Sequence, residues 1–261
     1  MANNTITTCI IPAAGKGSRW APVSGYLPKE MLPLIDKPVI EWCIDEAVHS
    51  GCNHIIIVIN SQKNLIKSYL QKAKKYHNKI RFDFVYQKYP RGIAHAIWLC
   101  KNLINNKAFC VALPDLPVIS KKPALKQLIE AYNKNESHII SFDKFSKEHL
   151  HLYGECQVEK QSKVVNVQHF CAKISKKHPH HINSKIRMSG RFIFTNEIFP
   201  IISELIQKKS KQEITDVDAL HKALNHNQLV KGLKIIGHTY DTGNPKSYVR
   251  ANTAFFKKYV I

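Results

Sequence analysis

Short apolar runs alternate along this chain with stretches whose apolar positions recur every three or four residues. The runs over 55–60 and 108–113 are nearly unbroken in Ile, Val, Ala, Phe, Cys and Leu, which predicts strands buried on both faces. Residues 6–12 read as a first strand and 80–86 alternate as another. Between them, 39–50 and 93–104 have helical periodicity, and 64–76 predicts a Lys-rich amphipathic helix. A helix over 123–133 and a strand over 138–142 continue the pattern. Such alternation predicts an α/β fold with a mostly parallel sheet and helices on both faces. Ligands of such sheets bind outside the carboxyl ends of the strands.

The second half is less regular. Strands are expected over 154–158, 164–170, 191–194 and 233–236, and helices over 195–208, 215–225 and 247–259. Residues 175–183 are expected to be a polar Lys/His loop. No repeat and no long linker interrupts the 261 residues, so a single domain is expected.

Composition narrows the classes. The chain carries 39 basic and 19 acidic residues, a formal charge of +20. Such a field attracts nucleic acid or small anions. Only 6 of the basic residues are Arg, however, and no basic run is interleaved with aromatics, so nucleic acid is disfavoured as the partner. No apolar run approaches the roughly 20 residues that span a bilayer, and the polar start is not expected to act as a secretion signal. Seven Cys lie scattered without a C-x-x-C, as expected of free thiols in a reducing cytoplasm.

The densest chemistry follows the first strand, in IIPAAGKGSRWAPVSGYLPKEMLPL from Ile10 to Leu34. Gly15 and Gly17 let backbone N–H groups approach phosphate oxygens, and Arg19 and Lys29 supply neutralising charge. The pattern fits neither the dinucleotide fingerprint nor the Walker A loop. Asp115, after the strand ending in Leu113-Pro114, is placed to hold a hard cation or to form a turn. Asp241, in Tyr240-Asp241-Thr242-Gly243-Asn244, has the same two readings.

The loop from Gly15 through Pro28-Lys29-Glu30-Met31-Leu32-Pro33-Leu34 resembles the sugar-1-phosphate nucleotidyltransferases, in particular the bacterial UTP–glucose-1-phosphate uridylyltransferases. Leu113-Pro114-Asp115 and Asp241-Thr242-Gly243 extend the resemblance. It implies a Rossmann-like fold of the nucleotide-diphospho-sugar transferase type. The nucleotide would bind in residues 1–145 and the sugar in 146–261. The implied reaction transfers a uridylyl group from UTP to a sugar-1-phosphate, with glucose-1-phosphate expected, releasing diphosphate.

By the same resemblance, Arg19 and Lys29 serve the triphosphate, and Asp115 and Asp241 hold Mg²⁺. Ala14, Gly15, Gly17, Glu30, Gln87 and Gly92 line the nucleotide, with Gln87 reading the base. Gly154 and Gly190 line the sugar, and Lys173 meets its phosphate. Ala94 replaces the family's usual Gly. The resemblance frays at Cys171-Ala172-Lys173-Ile174, where the family carries Val-Glu-Lys-Pro. Ala172 removes a Glu that binds sugar hydroxyls, and such buried bonds discriminate strongly between sugars. Another sugar, dTTP in place of UTP, or a catalytically weak nucleotide-binding homologue with a regulatory role are the alternatives. Homo-oligomerisation is left open, because the family's contact segments are short here. His169, Cys171, His178, His180 and His181 could bind zinc, though their spacing fits no standard finger.

Overall fold

A computed structural model describes residues 6–132, 137–144, 155–158, 164–171, 186–208 and 212–261. The first half is built from β1 (Thr8–Pro12), β2 (Pro33–Leu34), β3 (Lys37–Pro38), α1 (Val39–His49), β4 (His54–Ile59), α2 (Asn64–Lys72), β5 (Arg81–Tyr86), α3 (Gly92–Leu99), β6 (Ala108–Ala112), β7 (Val118–Ile119) and α4 (Ala124–Ala131). The second half adds β8 (His138–Lys144), β9 (Glu155–Val158), β10 (Val164–Cys171), β11 (Ile186–Thr195), α5 (Ile198–Lys208), α6 (Asp216–Asn225), β12 (Val230–Lys234), β13 (His238–Thr239) and α7 (Pro245–Tyr259).

Nine of the strands form one sheet in the order β5-β4-β1-β6-β11-β8-β12-β10-β9. The β5-β4-β1-β6 block is parallel throughout, and β10 and β11 run against the rest. The mostly parallel α/β architecture expected from the alternation is therefore the one observed. Side chains along the central strands divide between two cores, as period-two geometry requires. Ile10, Ile56, Val58 and Phe109 pack beneath α3, α5 and α6. Ile11, Ile55, Ile57 and Cys110 pack beneath α1, α2 and α4. With both faces covered, these strands have no polar face, which is why they read as continuous apolar runs.

Several elements depart from expectation: the helix expected over 93–104 ends at Leu99 before a 3-10 turn, Lys101–Leu103, and the strand expected over 233–236 is β12, Val230–Lys234. The short strand expected over 191–194 is the end of the ten-residue β11. Buried Arg187, Ser189 and Arg191 interrupt its apolar run, and a bulge with Gly190 at φ 75° breaks its register against β8. The helix expected from 195 starts at Ile198, because Thr195 still pairs with Ala108 in the sheet. The helix expected over 64–76 ends at Lys72 and passes into a 3-10 turn, Lys74–Tyr76.

A third, smaller core joins the two ends of the chain. Leu32, Leu34 and Val39 pack with Ala251 and Phe255 of α7, bordered by Trp20, Trp42, Tyr240 and Tyr248. The Tyr248 hydroxyl donates to the Pro33 carbonyl. The loop with the densest chemistry is thus clamped by the last helix.

Candidate active site

The parallel block reverses direction of growth at β1: the chain runs outward to β4 and β5, then returns to place β6 on the other side. A crevice opens at the carboxyl ends of strands around such a switch point. Four loops meet there, after β1 (Ala13 onward), β4 (Asn60 onward), β5 (Gln87 onward) and β6 (Leu113 onward).

The loop after β1 is held by β4 and its connection. The Ala13 N–H bonds the Val58 carbonyl at 2.8 Å. Asn60 donates to the Ala14 carbonyl at 2.9 Å, and the Lys63 ammonium donates to the Ala13 carbonyl at 2.7 Å. Both carbonyls are tied back, so this turn is rigid before any ligand arrives. A Cβ on Gly15 would meet nothing within 4 Å, so the backbone there stands open. Gly17 sits at φ 69°, in the left-handed region that favours glycine.

Lys29 and Glu30 share one 3-10 turn, Lys29–Met31, and turn to different partners. Glu30 is 1% exposed and accepts a 2.7 Å bond from Lys63. Lys29 donates to Asp115, with side-chain exposures of 14% and 21%. Burial opposes the charge of Lys29, but Asp115 and Glu30 outweigh it and hold the ammonium above its usual range. Burial likewise opposes the Asp115 charge, and Lys29 and Arg19 outweigh it and hold that carboxyl low. Lys63 goes the other way: burial lowers its pKa despite Glu30.

Asp241 lies across from Asp115. The Thr242 N–H and hydroxyl both donate to the Asp115 carbonyl, at 2.9 and 3.1 Å. Gly243 N–H and Asn244 hold the two Asp241 oxygens at 2.7 and 3.0 Å. Asn244 also caps α7 by accepting from the Ser247 N–H. Burial and the Asp115 charge push the Asp241 pKa up. Arg19 completes the group: a Cβ on Gly243 would fall 2.7 Å from its Nη2 and 2.8 Å from Asp241 Oδ1. Trp20 fixes the adjoining turn by donating to the Thr242 carbonyl at 3.0 Å. Arg19, Lys29, Asp115 and Asp241, which lie far apart in the chain, thus form one cluster.

On the β5 side, Gln87 is 4% exposed and donates to the Gly92 carbonyl at 3.1 Å. Gly92, at φ 88°, lies where a Cβ would strike the Ile214 carbonyl. Gly190 sits behind the Asp115 turn, where a Cβ would fall 2.7 Å from Leu116 Cδ1. Its carbonyl accepts from the Leu113 N–H at 2.9 Å. Gly154, Ala172, Lys173, His178, His180 and His181 lie outside the described residues, as do the side chains of His169 and Cys171.

Residues that sequence reading passed over do much of the positioning. Asn60 and Lys63 brace the first loop. Buried Arg191 grips Glu46 with two bonds, 3.0 and 2.7 Å, and donates to the Leu113 carbonyl at 3.2 Å, fixing the approach to Asp115. No local signal marks them, because each partner is supplied by a distant element.

A switch-point crevice with a glycine loop, two cations and two carboxylates is the equipment of an enzyme that handles phosphorylated nucleotides. A family model described as nucleotidyl transferase matches residues 8–258, and the chain belongs to that family. It is 33% identical over 270 residues to the UTP–glucose-1-phosphate uridylyltransferase of Bacillus subtilis, covering 96% of this chain and 91% of the relative. A Staphylococcus epidermidis protein of the same name is 31% identical over 273 residues, covering 97% and 93%. A solved UDP-glucose pyrophosphorylase complexed with UDP-glucose matches with a TM-score of 0.86 at 31% identity, covering 97% of this chain and 99% of that one. An Acinetobacter UDP-glucose pyrophosphorylase matches with a TM-score of 0.83 at 25% identity, over 97% and 94%.

Proposed function

We propose that this enzyme transfers a uridylyl group from UTP to glucose-1-phosphate, giving UDP-glucose and diphosphate. The observation that carries the reading is the convergence of Arg19, Lys29, Asp115 and Asp241 beside the braced Ala13–Ala14 turn. An oxygen of the sugar phosphate attacks the α-phosphorus of UTP, the bond from that phosphorus to the bridging oxygen breaks, and diphosphate leaves. No covalent enzyme intermediate is needed. Lys29 and Arg19 neutralise the triphosphate, and the open backbone at Gly15 approaches it. Rates then come from positioning and from charges set in place beforehand.

Asp115 and Asp241 are the residues that would hold Mg²⁺. Their oxygens are the hard donors that ion takes, and the upward push of Asp115 on Asp241 is a repulsion that a divalent cation relieves. Bound there, the ion would neutralise charge on the phosphates. Lys173 would meet the sugar phosphate, and Gly154 and Gly190 would line the sugar, so that 1–145 serves the nucleotide and 146–261 the sugar. We place the enzyme in the cytoplasm. Cys9, Cys43, Cys52, Cys100 and Cys110 are free and buried, and among the described residues no helix is long and apolar enough to cross a membrane.

Diphosphate release with UTP, Mg²⁺ and a panel of sugar-1-phosphates tests the reading, with dTTP run beside UTP. Glucose-1-phosphate with UTP is expected to turn over fastest. Fastest turnover with another sugar or with dTTP replaces the substrate, and no release with any pair overturns the reading.

A further inference from the structure

Gln87 is the residue expected to read the base, and a side-chain amide has two faces, one that donates and one that accepts. Which face it offers decides which bases it can read. The surroundings of Gln87 settle this by chemistry. Its terminal amide meets the Gly92 carbonyl at 3.1 Å, and a carbonyl only accepts, so the nitrogen faces it. The same nitrogen lies 2.9 Å from His95 Nδ1. An amide nitrogen only donates, so Nδ1 accepts and the imidazole proton sits on Nε2. Both N–H groups are consumed within the protein. Among the described residues nothing donates to Oε1.

We infer that His95 is a positioning residue for base selection: with the Gly92 carbonyl it locks the Gln87 amide so that only an acceptor faces the nucleotide. Uracil offers an N3–H to that acceptor. Cytosine, of the same size, offers a lone pair at N3 and is repelled. Turning the amide over would set Oε1 against the Gly92 carbonyl and force the imidazole proton from Nε2 to Nδ1. His95 itself is fixed, its ring stacked on Trp98 with centroids 6.2 Å apart. Burial, helped by the charge of Arg91, holds its pKa below the usual histidine value, which keeps the ring neutral, and the amide N–H beside Nδ1 selects the tautomer protonated on Nε2. Gln87 directly follows β5 and His95 closes the first turn of α3, so the lock spans two rigid elements.

The inference rests on the reading that Gln87 faces the base, and one experiment separates the two. The ratio of kcat/KM for UTP over CTP is measured with glucose-1-phosphate for the wild type, Gln87→Leu, His95→Phe and His95→Asn. His95→Phe removes one of two locks and should lower the ratio by about tenfold, the value of one hydrogen bond. His95→Asn keeps an acceptor near the Nδ1 position and should return the ratio to within about threefold of wild type. A folded His95→Phe with an unchanged ratio, beside a Gln87→Leu whose ratio collapses, overturns the lock alone. An unchanged ratio in Gln87→Leu overturns the placement of the base. Should His95→Phe fail to fold, the ¹⁵N spectrum of histidine-labelled wild type decides. An unprotonated Nδ1 and a protonated Nε2 at pH 7 are expected, and the opposite tautomer overturns the inference.

Discussion

Two neighbours on one turn, Lys29 and Glu30, belong to different parts of the molecule. On the sealed side, Glu30 and Lys63 pair at 2.7 Å beneath the first loop, and the same ammonium ties down the Ala13 carbonyl. On the open side, Lys29 pairs with Asp115 where both keep access to the cleft. The energetics differ accordingly. Burial wins over Glu30 at Lys63 and lowers its pKa, whereas Asp115 and Glu30 win over burial at Lys29 and raise it. A buried pair is costly to break and gives little net stability over an apolar substitute. Its use here is geometric, since it sets the backbone that a ligand meets. The open pair holds charge where charge on a substrate would arrive.

That contrast is broken or sharpened by substitution. Lys63→Met strands a buried carboxylate and should cost about 3–5 kcal/mol in urea unfolding. Adding Glu30→Gln should recover a large part, because the stranded charge is then gone. A single variant costing under about 1 kcal/mol would remove the sealed side from the argument. Asp115→Ala should leave the unfolding midpoint nearly unchanged but lower turnover by about 100-fold or more, measured by diphosphate release. Near-normal turnover would sink the assignment of the open side. Gly243→Ala pushes a methyl group between Arg19 and Asp241 and should slow turnover about tenfold, in line with small misplacements of catalytic groups. Wild-type turnover there would mean that the arrangement of Arg19 and Asp241 is not needed.

The open side was legible in the sequence; of the sealed side only Glu30 stood out, as a residue expected to line the nucleotide, and its partner Lys63 did not. Arg19, Lys29, Asp115 and Asp241 stand in short strings that a resemblance can carry, and the strands leading to them are covered on both faces and so read as unbroken apolar runs. Lys63 is one lysine of a Lys-rich chain, and its partner Glu30 is 33 residues away, brought near only by the β1–α1–β4 crossover. Arg191 and Glu46 meet across 145 residues because β11 pairs beside β6. The polarity of Arg187 and Ser189 hid the first half of β11, because an Arg inside a strand looks like its end. Gln87 was legible as an amide, but its spent donors depend on a carbonyl and an imidazole that only the fold sets beside it.

The smallest effect lies far from the cleft, where His138 extends the sealed logic to pH. Its Nδ1 accepts from the Thr195 N–H at 3.2 Å and its Nε2 bonds Gln228 at 2.9 Å, so the ring is neutral with both nitrogens engaged. Burial lowers its pKa, and the bond to Gln228 only partly opposes this. In the unfolded chain the group titrates near about 6.5 and in the folded chain below that. Protons therefore favour the unfolded state. The contribution of His138 is present above pH of about 6.5 and is lost as pH falls from there through the folded value. Urea unfolding at a series of pH values from 8 to 5 should show stability falling toward the acid end, with the slope reduced in His138→Gln. Turnover per folded molecule should not follow that slope difference, since His138 touches β11 and the start of β12 rather than the cleft. An equal acid slope in His138→Gln would assign the pH dependence to other groups.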